Sequence, residues 1–130
     1  MGSTTVKILG VAAGGAIGAV GRYLVSGWMS RLAPGSSFPW GTLAVNVSGA
    51  FVLGVVMAAT TTGRLAMSPT TRTFLTIGVL GAFTTFSTFS YETLEALRVR
   101  HWGVGIGNIA VSLALGLAAC WIGLALGDRL

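Results

Sequence analysis

Four apolar runs, each near or above the length of a bilayer crossing, take up almost all of this chain. They cover roughly residues 6–29, 41–60, 71–97 and 102–126 of 130. About 20 residues of helix cross the hydrocarbon of a membrane. The connections are short: 30–40 with Pro34 and Pro39, 61–70 with Gly63 and Pro69, and 98–101. Composition agrees, at 53% hydrophobic and 8% charged residues, where a soluble domain carries about a quarter charged residues. Lipid offers no hydrogen bonds to stray backbone, so each run is expected to be a helix. The expectation is a single all-α domain of four transmembrane helices in the cell membrane.

Lys7 followed by apolar residues 8–20 has the order of a signal peptide, but the run is rich in glycine and continues past Arg22 into Tyr23-Leu24-Val25. It reads as a retained first helix.

The third run contains an exception. Residues 78–90 hold two glycines, five hydroxyl side chains and three phenylalanines. Gly78 and Gly81 with the β-branched pair Thr84-Thr85 weaken a helix at one point. Irregular backbone at membrane depth must be buried in protein or line a cavity. The pattern therefore predicts a third helix broken at its middle, its freed carbonyls and hydroxyls facing an ion. Beyond the break, Phe86 and Phe89 share a face, beside the stripes Thr85/Thr88 and Ser87/Ser90. Ring edges carry partial positive charge and hydroxyls donate, so both suit an anion.

The other helices supply packing rows and a few polar groups. Gly10, Gly14 and Gly18 stand at four-residue spacing, with Gly21 a turn further, a row that lets another backbone approach. Arg22 either snorkels or pairs near the helix end, or takes part in attracting an ion. Asn46 either ties helices together or turns its NH₂ group to a pathway. Asn108, Ser112, Gly116 and Cys120 repeat every four residues and read first as a packing face, with Asn108 and Ser112 able to extend a polar track. Glu95 and Arg98 form an i,i+3 pair, while Glu92 faces the mouth of any path.

Several function classes drop out. The net charge of +5 comes from basic residues scattered singly, which is not a nucleic-acid footprint. Cys120 and His101 stand alone, so metal catalysis lacks ligands and an enzyme is not expected. With four spans, Lys7, Arg64, Arg72 and Arg129 fall on one side, and Arg31, Arg98 and Arg100 on the other. Orientation follows such charge bias. Near balance predicts insertion both ways and an antiparallel, dual-topology homodimer.

With all four helices in view, the chain resembles the fluoride channel family (Fluc, also called CrcB) over essentially its whole length. The likeness rests on residues 15–19 followed by Arg22-Tyr23, on residues 41–46 ending in Asn46 with Gly49 and Gly54, and on Gly81, residues 84–90 and Glu92. The resemblance implies small dual-topology dimers that export fluoride passively and lower it in the cytoplasm. It further implies a structural, untransported sodium ion at the dimer centre, held by the backbone carbonyls of Gly81 and Thr84. Phe86 and Phe89 match the family's pore rings, Asn46 its pore asparagine and Ser112 its hydroxyl track. Thr88 and Ser87 line the path or stabilise the break, and Glu92, with Arg22, lies at the pore mouth. Ala82 stands where many relatives have glycine.

Two other readings compete. A small dual-topology multidrug or cation transporter needs an intramembrane acid, typically in its first helix, and none lies there. A non-transporting helical membrane subunit accounts for the glycine rows but not for the hydroxyl-rich stretch.

Overall fold

The computed structural model describes residues 3–130, which are helical throughout with no strand among them. The elements are α1 Thr4–Leu32, α2 Trp40–Thr61, α3 Pro69–Thr73, a π-helical run Phe74–Leu80, α4 Gly81–Phe83, α5 Phe86–Arg98 and α6 Trp102–Gly127. Four stretches are long and apolar enough to cross a membrane: Thr4–Leu32, Trp40–Thr61, Pro69–Arg98 and Trp102–Gly127. Each starts or ends within about three residues of its expected limit, the extra residues being cap and interface positions that hydropathy does not mark.

Capping sets these limits. Ser3 accepts from the amide of Val6 at the start of α1. Ser68 accepts from Thr71, with Pro69 at the first helical position of α3, where its missing N–H costs nothing. After α2 the chain turns at Gly63, whose φ of 73° suits glycine. Phe38 and Trp40 stack at 4.6 Å, and Trp40 Nε1 donates to Ser36, pinning the entry to α2.

α2 packs most extensively against α6, and α1 packs on the third span from its π-helical run through α4. Both seams are built on small residues. A Cβ on Gly14 would sit 2.7 Å from the Phe74 carbonyl, and one on Gly18 would collide with the Val79 carbonyl. These two glycines are the buried members of the α1 row. On the α2–α6 seam the close approaches fall at Gly54, Gly123 and Gly127. This corrects the packing row expected for α6: Gly116 has nothing within 4 Å, and Asn108 faces α5 instead. Of that row only Cys120 meets the close approaches to α2, through its carbonyl at Gly54, and the contact continues along α6 to Gly123 and Gly127.

The third span is irregular, and not where its glycines suggested. Gly78 is buried inside the π-helical run, and Gly81 is helical at φ −64°, ψ −35°. The extended residues are Thr84 (φ −83°, ψ 158°) and Thr85 (φ −151°, ψ 115°). Both φ values are negative, so no glycine is needed there, and Ala82 sits in α4 without conformational demand. α5 begins at Phe86, with Thr85 as N-cap accepting from the Thr88 amide at 3.1 Å.

Candidate functional site

The corner at Thr84–Thr85 is held from another helix. Asn46, midway along α2, accepts from the Thr85 amide at 2.7 Å and donates through Nδ2 to the Thr85 carbonyl at 3.0 Å. In a continuous helix the Thr85 amide would close on the carbonyl of Gly81, four residues back. Diverting it to Asn46 leaves that carbonyl without its helical donor. Among the described residues, the Thr84 carbonyl accepts only from the Arg22 guanidinium, at 3.5 Å. Thr85 is 7% exposed, and its hydroxyl also meets those of Ser87 (3.2 Å) and Thr88 (3.0 Å). Gly49, one turn on from Asn46, leaves room for Thr84, because a Cβ there would strike the Thr84 methyl.

Beside this corner lies a cavity of about 340 Å³. Asn46, Gly81, Thr84, Phe86, Phe89 and Ser112 all line it, joined by Thr76 and Thr85. Four separated pieces of sequence thus converge on one space. The Phe86 and Phe89 rings lie 5.7 Å apart at 43°, and Phe86 is 79% exposed. The remaining candidates sit elsewhere. Ser87 and Thr88 are exposed, at the start of α5, and do not line the cavity. Glu92 accepts from the Thr42 hydroxyl at 2.9 Å and borders a smaller cavity, of about 200 Å³, with Ser26, Ser30 and the 33–41 connection. Arg22 touches the corner from its outer side through Thr84. Glu95 and Arg98 pair at 3.6 Å on the exposed end of α5.

Thr85, expected to weaken the helix with Thr84 and to share a stripe with Thr88, was not among the residues expected to build the site. It is both the N-cap of α5 and the partner of Asn46. A hydroxyl residue directly before a helical segment is the ordinary N-cap signal and could have singled it out. The mutual hold of Asn46 and Thr85 also joins the two readings of Asn46. One amide proton ties two helices together, and the same side chain lines the cavity.

The main-chain carbonyls of Gly81 and Thr84 are neutral oxygens of the kind a hard cation takes, but the Thr84 carbonyl already faces the Arg22 guanidinium at 3.5 Å, and one chain alone offers no complete donor set.

Residues 9–124 match the family model described as "CrcB-like protein, Camphor Resistance (CrcB)". Among similar curated proteins are fluoride-specific ion channels FluC from three bacteria. That of Opitutus terrae is 48% identical over 114 residues, covering 87% of this chain and 86% of the relative. That of Geobacter sulfurreducens is 49% identical over 117 residues, covering 90% and 93%. That of Agrobacterium fabrum is 47% identical over 125 residues, covering 96% and 98%.

Proposed function

The chain belongs to the CrcB-like family, and on that footing we propose that it is a fluoride channel of the cell membrane that lets fluoride leave the cytoplasm passively. It is a multi-pass membrane protein that moves an ion and catalyses no reaction. The observation that carries the reading is the convergence of Asn46, Phe86, Phe89 and Ser112 on one cavity beside the Thr84–Thr85 corner.

Fluoride is small and holds its water tightly, so a path must replace that water with closely set donors. The second Asn46 amide proton and two ring edges, with the Ser112 hydroxyl once it turns from its internal partner, do this without a fixed cation that would trap the ion, and conduction requires sites weak enough to leave. In this reading the third span is functionally broken at Thr84–Thr85, and Asn46 is its latch. The carbonyls of Gly81 and Thr84 would hold a structural sodium ion, whose charge would compensate carbonyl oxygens that lack helical donors. The diverted Thr85 amide supports that assignment.

The assembly we propose is an antiparallel homodimer inserted in both orientations. The near-balanced loop charges support it, as does the exposure of Phe86, a pore ring that a single chain leaves uncovered. Glu92, the acid a proton-coupled exporter would need, borders a different cavity from Asn46 and Phe86, which disfavours that alternative.

The function is tested in a bacterium made fluoride-sensitive by loss of its own fluoride export. Expression of this chain is expected to restore growth in millimolar-range fluoride and to lower retained fluoride. Unchanged sensitivity with the protein present in the membrane would overturn the proposal.

A further inference from the structure

Asn108 on α6 is 1% exposed and stands at the centre of a chain of hydrogen bonds linking α5 to the cavity. The Thr93 hydroxyl donates to the Phe89 carbonyl at 2.7 Å, which commits its only proton. Thr93 can then only accept, so the Asn108 group facing it is the NH₂, at 2.9 Å. The amide's other end is thereby turned to Ser112, whose hydroxyl donates to Asn108 Oδ1 at 3.1 Å. Thr93 and Asn108 are buried away from water, and Ser112 is half-buried where this chain of bonds meets the cavity. The consequence reaches the cavity, which Ser112 lines. The one proton Ser112 could offer to an anion there is held by Asn108, so Ser112 turns only oxygen lone pairs to the cavity.

We infer that Asn108 is a positioning residue that competes with the permeating anion for the Ser112 proton and so keeps fluoride binding at Ser112 weak. The inference rests on the fluoride reading above and adds to it a residue that sets affinity without touching the ion. For fluoride to be held at Ser112, the hydroxyl must rotate away and leave Asn108 Oδ1 without its donor. That exchange replaces one hydrogen bond by another. A hydroxyl with no internal partner would gain a bond outright, and would hold the ion longer.

The test is a flux measurement over a range of fluoride concentrations in liposomes carrying wild type, Asn108→Leu, Ser112→Ala or the double variant. Leucine cannot accept the Ser112 proton. In Asn108→Leu the fluoride concentration giving half-maximal flux is expected to fall by about fivefold, the size of one neutral hydrogen bond transferred to the ion. Maximal flux is expected to fall with it. In the double variant the shift disappears and the protein behaves as Ser112→Ala. Should leucine prevent assembly, Asn108→Ser carries the same test, because its short hydroxyl bonds back to its own helix. A half-saturation unmoved in the assembled variant, or one that moves equally with Ser112 absent, would overturn the inference. Wild-type protein that carries no fluoride would instead sink the transport reading itself.

Discussion

Asn46 and Thr85 hold each other by two hydrogen bonds running in opposite directions, amide to side-chain oxygen at 2.7 Å and side-chain nitrogen to carbonyl at 3.0 Å. A side chain here does the work of a neighbouring strand, satisfying both backbone groups of a residue that has left its helix. Without it, the Thr85 amide would stand unpaired at membrane depth, at about 1–3 kcal/mol, whereas the Thr85 carbonyl, as that of the α5 N-cap, also takes the first bond of that helix. The latch lets a non-helical residue persist inside a transmembrane span.

Asn46→Asp retains an acceptor for the Thr85 amide but loses the donor to its carbonyl, and when ionised it places an anion in the path. Fluoride efflux is expected to fall by about tenfold or more. Thr85→Ala keeps both latch bonds and removes the α5 cap, a loss of about 1 kcal/mol, together with the hydroxyl contacts to Ser87 and Thr88. Thermal unfolding in detergent should then show a lowered midpoint with flux partly retained.

Phe86→Ile and Phe89→Ile remove ring edges while keeping apolar bulk. Phe86 is 79% exposed in the single chain, so its replacement should not disturb the protomer. Each variant is expected to elute as the wild type on size exclusion and to show impaired fluoride efflux. Unchanged flux in both would remove the rings from the mechanism.

The α1 seam separates two adjacent glycines sharply. Gly14→Ala forces a Cβ to within 2.7 Å of the Phe74 carbonyl, whereas a Cβ on Gly15 meets nothing within 4 Å. Overpacking costs about 1–3 kcal/mol. Gly14→Ala should therefore lower the unfolding midpoint, and Gly15→Ala should leave it in place.

Replacing sodium by a bulky organic cation is expected to lower the unfolding midpoint of the wild type, because an ion bound only by the folded assembly stabilises it. Reporter tags on the C-terminus should appear on both faces of the membrane in comparable amounts. A single orientation would contradict the antiparallel assembly.

The spans were legible because hydropathy over 20 residues is a strong and local signal, and the close approaches at Gly14 and Gly18 followed from their spacing. The α6 row was legible only in part, since Asn108 packs on α5 and Cys120 on α2 while Gly116 meets nothing. Spacing identifies a small-residue face but not which neighbour it meets, and the α2 contact falls at Gly123 and Gly127. Within the third span, the weak point was expected from Gly78 and Gly81 together with the Thr84-Thr85 pair; the glycines remain helical and the departure falls on the threonines. The departure at Thr84 and Thr85 is paid for by Asn46, 39 residues away in sequence, a partner that no local pattern reveals. Phe86, Phe89 and Ser112 were legible as candidates from composition and resemblance. That they share a cavity with Asn46, whereas Ser87, Thr88 and Glu92 do not, depends on how the helices pack.

The most direct measurement follows ion release from liposomes reconstituted with the purified protein, using fluoride and chloride electrodes in parallel with wild type and Asn46→Asp. The account expects rapid fluoride release by the wild type, little chloride release, and fluoride release sharply reduced when the latch is altered. Wild-type liposomes that release fluoride no faster than protein-free ones, or an Asn46→Asp variant as fast as wild type, would contradict it.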